Sequence, residues 1–428
     1  MIAVDKVRVL DVIIVGGGIG GLSAAIAVSL GGHTVTVLEM AEKIEEVGAG
    51  LQFSANATCI LQRWGIDKDI LNDVVEPRSC VMRRYDTGAK LAEVELGAFH
   101  RKTYGAPFWD IHRHDLIHAL HARALQLGVQ VRTNSKVVDI DFETPSVILE
   151  DGSILKGDLV VGADGLNAVT RKKMVPTDAP QYTGDIAFRI LLDREDFSGE
   201  EDASVRKFAD DPQVTYWLGP NRHAIVYILK GGRQINVVAI APDDLPEGVV
   251  RAPLSKADTL AIFDGWDPTL RKLISSYSKT EVWRWKLHTR DELKAWNHTS
   301  ERFTLLGDAV HPTLPYLSQG AAMAVEDAAV LGLVLDSKTS DDSSLGEALR
   351  RYESLRRPRS TKIVRAATSQ QHWYHLTDGD EQERRDQLMG AEESVEGDPF
   401  LWRAPSFAPF LYGYDAFEEV KKVCVEGK

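Results

Sequence analysis

Only three cysteines occur in 428 residues, Cys59, Cys80 and Cys424, and no two are spaced as CxxC. Neither a zinc knuckle nor a redox dithiol is signalled, and a disulfide reductase is excluded. So few thiols in a long chain fit a reducing compartment. A basic excess is missing too. The chain has 50 Lys and Arg against 63 Asp and Glu, a formal net charge of -13. That argues against nucleic acid, whose phosphates want a basic face. The apolar stretch near the N-terminus, Val7 to Val15, is broken by Arg8 and Asp11 and ended by glycines. It is too short and too interrupted for a signal peptide or a membrane span. The final Glu-Gly-Lys matches no retention or lipidation signal. No internal repeat and no low-complexity segment is visible. These absences lead to the expectation of a soluble, cytoplasmic protein with no membrane span.

What is present exceeds one compact core, and the length suggests two domains or one large elaborated one. Hydrophobic content of 44% and charged content of 26% are an ordinary soluble balance. Residues 7–14 read as a strand, "LSAAIAVSLGG" as a helix of small residues, and "TVTVLE" as a second strand, which makes a βαβ unit. "IHRHDLIHALHARALQLG" reads as an amphipathic helix ending at Gly128. "VQVRTNSKVVDIDF" reads as strands, and "VILEDGSILKGDLVVGADG" as a hairpin and then a strand. From about residue 180 to 290 the segments alternate, with Asn-Arg and Gly-Gly breaks that suit hairpins, so a mostly antiparallel sheet is expected. "RFTLLGDAVHP" returns to a buried strand that should rejoin the first sheet. After Gln319 the chain reads as helical. The acidic stretch Asp378 to Asp398 is expected as a solvated helix or loop. The aromatic tail "DPFLWRAPSFAPFLYGYDAF" must pack on the body or on a partner subunit, since exposed it would be a liability.

The segment "VGGGIGGLSAA" holds Gly16-x-Gly18-x-x-Gly21 between a strand and a helix. Gly16 serves the turn, Gly18 lets a pyrophosphate approach, and Gly21 lets the helix pack on the strand. The helix N-terminus offers free N–H groups and a partial positive charge to phosphates. Glu39 follows Gly21 by 18 residues at the end of the second strand. A carboxylate there accepts from both ribose hydroxyls and repels a 2′-phosphate. An adenine dinucleotide site is the expectation.

Three motifs in order make the signal specific. They are the Gly16–Gly21 turn with Glu39 and "GAGLQFSANA" (Gly48 to Ala57), then "GADGLNAVTR" (Gly162 to Arg171), then "GDAVHPTLPYLSQGAA" (Gly307 to Ala322). With them the chain resembles the single-component FAD-dependent aromatic hydroxylases (flavoprotein monooxygenases), closest to the salicylate hydroxylase-like branch, over nearly its whole length. The resemblance implies an α/β fold: a Rossmann-type FAD-binding domain, an inserted mainly antiparallel β-sheet substrate domain and a C-terminal helical region, like para-hydroxybenzoate hydroxylase. Residues 1–75, 105–178 and 295–345 would form the FAD-binding domain, 76–104 and 179–294 the substrate domain, and 346–428 the helical segment. FAD would be held by Gly16, Gly18, Gly21, Glu39, Gln52, Arg113, Asp164, Asp308, Gly320 and Ala321. No histidine lies in "GAGLQFSANA", where covalently flavinylated relatives carry one, so non-covalent FAD is expected. Asp308 would bond the ribityl chain, and the loop from Pro312 to Pro315 would lie beside the isoalloxazine. The helix opening at Gly320 would aim its N-terminus at the pyrimidine edge.

By the same resemblance NADH or NADPH reduces the flavin, and O2 adds to give a C4a-hydroperoxide. A phenol attacks its distal oxygen best as a phenolate. Arg189 in "GDIAFRI" is the candidate to hold that phenolate, on a strand with Phe188 and Ile190 facing the other way. His223 and Tyr227, four apart on a strand and so on one face, match residues that contact substrate in some members. Tyr216, Pro315 and Tyr316 are expected at the substrate. The expected partners are thus a small aromatic substrate, O2 and NAD(P)H, on a monomer or homodimer. His114, His118 and His121 share a helix face, but no carboxylate pattern accompanies them, so no metal is expected. "WRWK" (Trp283 to Lys286) resembles the halogenase WxW element but continues with Leu-His. The competing readings are an NAD-only dehydrogenase, a non-catalytic flavin-bound redox sensor, and a monooxygenase that epoxidises or dearomatises an alkene, indole or larger phenol.

Overall fold

The computed structural model describes residues 9–44, 50–67, 73–197, 203–336 and 344–426. Its first sheet has five parallel strands in the order Phe303–Leu305, Leu159–Gly162, Asp11–Val15, Thr34–Leu38, Gln130–Arg132. The neighbouring strands Asp11–Val15 and Leu159–Gly162 read as runs of Val, Ile and Leu, as expected where helices cover both faces of a parallel sheet. Ile13, Ile14, Val37 and Val160 are all buried. The helix Ile19–Leu30 leaves the first strand through the glycine turn. It packs on the helix Gly320–Val334, and a Cβ on Gly332 would stand 2.6 Å from Ala27. Small residues on both helices let their backbones approach this closely. Phe303–Leu305 rejoins this sheet, as the pattern of "RFTLLGDAVHP" suggests.

The second large sheet has eight strands: Arg251–Ser255, Glu281–Thr289, Gln181–Asp193, Gln234–Pro242, Arg222–Leu229, Gln213–Gly219, Ser79–Arg84, Lys90–Glu95. All neighbours are antiparallel except Gln213–Gly219 against Ser79–Arg84. Alternation divides its side chains between two faces. Phe188, Ile190, Trp217 and Val226 pack under the helices Lys256–Ile262 and Pro268–Ser275. Ala187, Tyr216, Ile225, Tyr227 and Val238 lie on the other face, in one core with Tyr374, Trp402 and Leu411 of the C-terminal segment.

Several boundaries differ from the sequence reading. The first strand is described from Asp11, and Val7 and Arg8 lie outside the described residues, as do Gly48 and Ala49. Ile111 and His112 belong to a short strand, Trp109–His112, paired with Gly50–Phe53, so the following helix begins at Arg113. The acidic stretch contains a helix, Asp380–Met389, that is not solvated all round. Gln382, Arg385 and Met389 are buried, and Arg385 donates to the Trp373 carbonyl. The aromatic tail covers the chain's own body, burying Phe400, Trp402, Leu411 and Tyr412.

Candidate active site

A cavity of about 690 Å³ is walled by both large sheets. At one end stands the glycine turn. Gly16 has φ +108°, and a Cβ there would lie 2.4 Å from the Ala163 carbonyl oxygen. A Cβ on Gly18 would meet nothing within 4 Å, so this residue leaves open space facing the cavity. The helix after it has no side-chain cap, and its first N–H groups can serve a phosphate. Gly21 does not line the cavity. Its Cβ would fall 1.9 Å from the Gly16 carbonyl oxygen and 3.4 Å from Ile14, so it holds helix, turn and strand together. Gly21→Ala is expected to displace that turn, an overpacking of about 1–3 kcal/mol. Protein purified from this variant should have lost most of the flavin absorbance that the parent shows.

Glu39 is oriented by backbone: its Oε2 accepts from Gly17 N–H at 2.8 Å and its Oε1 from Ala41 N–H at 2.8 Å. Each oxygen can accept a further hydrogen bond, and Glu39 lines the cavity. Asp164 lines the same wall and accepts from Thr170 N–H at 3.0 Å and from the Thr170 hydroxyl. Burial raises its pKa, and those bonds oppose the rise. Gln52 is buried between Asp110, to which its Nε2 donates at 3.1 Å, and Ser318, from which its Oε1 accepts at 2.8 Å. Arg113, Asp308, Gly320 and Ala321 complete this part of the lining. A Cβ on Gly320 would meet Thr313 Cγ2 at 3.3 Å. Open glycines at the turn, a backbone-bonded acid on the same cavity and an uncapped helix start would suit FAD.

The proline-stiffened stretch is fixed from behind. Asp327, fully buried in the Gly320–Val334 helix, accepts from Gly307 N–H at 3.0 Å and from Arg356 Nε at 2.8 Å, and pairs with His311 Nε2 at 2.6 Å. Burial would raise its carboxyl, but His311 and Arg356 pull it down to about 2. Glu326 beside it accepts from Asn56 Nδ2 at 2.6 Å and pairs with Arg359 at 2.7 Å and Arg356 at 2.6 Å. Arg171 is buried too, donating to the Val310 carbonyl at 2.7 Å and to Asp178 at 2.7 Å. The sequence reading missed Glu326, Asp327, Arg356 and Arg359. A visible signal existed: two adjacent acids in an otherwise small, apolar helix must be buried, and buried charges need partners.

At the other end Arg189, Ile225, Tyr227 and Val238 of the large sheet enter the lining, with Thr313, Pro315 and Ser318 also in it. Arg189 lies on an interior strand, flanked on both sides, and its guanidinium stands 5.3 Å from the Trp285 ring centroid. Burial raises the Tyr227 hydroxyl pKa, and the Arg189 charge works against that rise.

Three expected residues stand away from this cavity. His223 does share the face of Tyr227, but its Nδ1 is 2.8 Å from His375 Nε2, and burial keeps its pKa well below the usual histidine range. Tyr216 pairs opposite Ile225 and packs on Tyr374 and Trp402. Tyr316 follows Pro315 but turns back, donating to Asp185. One cause explains all three: the C-terminal segment covers this part of the sheet face, which strand alternation alone cannot show.

The chain matches the family described as FAD binding domain over residues 9–367. It is 42% identical over 412 residues to "FAD-dependent monooxygenase OpS4" of Beauveria bassiana (strain ARSEF 2860), covering 95% of each chain. It is 35% identical over 418 residues to 3-amino-4-hydroxybenzoate 2-monooxygenase of Streptomyces cremeus, covering 96% of each. Among solved structures a salicylate hydroxylase substrate complex superposes with a TM-score of 0.78 at 24% identity, over 96% of this chain and 97% of that one. That likeness shows the fold.

Proposed function

The chain belongs to the FAD binding domain family and is a single-component FAD-dependent monooxygenase; from that premise we propose that it hydroxylates a phenolic or aromatic-acid substrate with NAD(P)H and O2. The observation that carries this reading is one cavity shared by the dinucleotide glycines and by Arg189 and Tyr227. When bound, the flavin supplies an electrophilic oxygen derived from O2. The protein's own residues prepare the ring. The Arg189 guanidinium, in a wall with Ile225 and Val238, favours the ionised oxygen of a phenol. Tyr227, whose burial keeps it neutral, offers a hydroxyl to the same oxygen. Glu39 and the glycine turn hold the adenosine and pyrophosphate. FAD is held without a covalent bond, since the described part of "GAGLQFSANA" offers no histidine.

A panel of hydroxybenzoates and larger phenols, assayed for stimulated NADH or NADPH consumption with product identification, tests this reading. At least one phenol is expected to stimulate consumption and to emerge with an added hydroxyl. Turnover of indoles or alkenes with no response to any phenol would contradict it.

A further inference from the structure

Two residues, Ser318 and Gln319, join the short turn Pro315–Leu317 to the helix Gly320–Val334. Ser318 has φ +54° and ψ +31°, which is the left-handed region. A residue with a Cβ is disfavoured there, because the Cβ crowds the following carbonyl oxygen. The helix that follows has no side-chain cap to fix its start. Yet Pro315, Ser318, Gly320 and Ala321 all line the cavity, so the shape of its wall depends on this turn.

Three side chains from a distant part of the chain hold it. Gln52, Ser54 and Asn56 alternate through the strand Gly50–Phe53 and the start of the helix Ala55–Arg63. Gln52 Oε1 accepts from the Ser318 hydroxyl at 2.8 Å. Ser54 Oγ accepts from Gln319 Nε2 at 3.0 Å, and Asn56 Nδ2 donates to Gln319 Oε1 at 3.1 Å. Gln52, Ser54, Asn56 and Gln319 are all buried, so breaking any of these bonds orphans a polar group away from water. Gln52 is anchored in its turn. It stands opposite Asp110 in the strand pair, and its Nε2 donates to Asp110 Oδ1 at 3.1 Å. Asp110 is itself buried, and burial raises its carboxyl pKa against the pull of Gln52. Both the oxygen and the nitrogen of the Gln52 amide are therefore engaged by protein.

We propose that Gln52, anchored by Asp110, is a positioning residue: its bond to the Ser318 hydroxyl keeps Ser318 left-handed and so sets the wall of Pro315, Ser318, Gly320 and Ala321 for FAD. This rests on reading the cavity as the flavin site. Gln52 then acts on the cofactor through Ser318. Glycine enters the left-handed region without a Cβ penalty. It follows that Ser318→Gly should make the bond to Gln52 dispensable, which packing by Gln52 alone would not allow.

The test starts from FAD-loaded protein and follows the release of FAD on dilution by the fluorescence of the freed flavin. Gln52→Met keeps the length of the side chain without the amide, and is expected to hold FAD about tenfold more weakly than the parent. Adding Ser318→Gly to it should restore most of that affinity. Taken singly, Ser318→Ala loses the hydroxyl but keeps the Cβ, and should hold FAD more weakly than Ser318→Gly. Asp110→Asn keeps an acceptor oxygen for Gln52 and should hold FAD better than Asp110→Leu. The proposal is overturned, while the hydroxylase reading stands, if Gln52→Met holds FAD as the parent does or if Ser318→Gly fails to rescue it. Equal affinities of Ser318→Ala and Ser318→Gly, or of Asp110→Asn and Asp110→Leu, would overturn it as well. Should Gln52→Met not fold, the contrast of Ser318→Ala with Ser318→Gly decides alone. If the parent takes up no FAD, the reading of the site itself falls.

Discussion

Asp327→Ala is expected to yield little soluble protein, and what is recovered should lack flavin and melt far below the parent. The carboxylate is fully buried and serves three partners at once: Gly307 N–H, His311 and Arg356. Removing it leaves the Arg356 guanidinium, itself fully buried, with Glu326 as its remaining carboxylate among the described residues, and frees both ends of the loop from Gly307 to His311. Breaking one partner out of a buried ionic set costs about 3–5 kcal/mol, against a total stability of about 5–15 kcal/mol. Asp327→Asn keeps the shape and one acceptor oxygen but not the charge, so it should fall between the two. Thermal melting with and without added FAD distinguishes them. The sign with pH is fixed by the depressed carboxyl. Its stabilisation is fully present above the ordinary carboxylate value of about 3.9 and is lost as pH falls toward about 2. The parent should therefore lose stability through this group only in that acid window, and Asp327→Asn should lack that component.

Arg189→Ala is the second large effect. A free phenol ionises near pH 10, and lowering that by about 2 units requires about 2.7 kcal/mol of preference for the anion. A guanidinium close to the oxygen in a partly buried wall can supply it. At neutral pH the substitution should therefore lower kcat/KM for a phenol about 100-fold. The deficit should shrink as pH rises toward the phenol's own pKa, because the solution then supplies the phenolate. FAD content and melting temperature should change little. Lysine at this position restores the charge without the planar fork and should recover only part of the rate. A merely structural arginine would give a deficit that does not depend on pH. The pH profile of kcat/KM decides. An epoxidising member acting on a neutral alkene would be indifferent to the substitution.

The cofactor end was the most legible part of the sequence. The local geometry at Gly16, Gly18 and Glu39 follows from backbone needs: a left-handed turn, an open approach and a carboxylate after a strand. Such constraints are written within about 25 residues, so periodicity and spacing expose them. The antiparallel strands between residues 180 and 290 were legible for the same reason, as was the placing of Phe188 and Ile190 on the opposite face from Arg189. Long-range pairings were not. Nothing in "GAAMAVEDAAVLGLV" names the arginine partners of Asp327 and Glu326, which stand 29 and 33 residues on, at Arg356 and Arg359. His223 and Tyr227 look equivalent on a strand diagram. Only the packing of Tyr374 and His375 against one of them shows that Tyr227 lines the cavity and His223 does not.

The measurement that bears most directly on the account supplies purified protein with FAD, NAD(P)H, a responsive phenol and isotope-labelled O2. The account predicts one labelled oxygen on the ring of each product molecule, formed in step with the NAD(P)H that the phenol causes to be consumed. NAD(P)H consumption that ignores every phenol, or a product whose new oxygen comes from water, would contradict it.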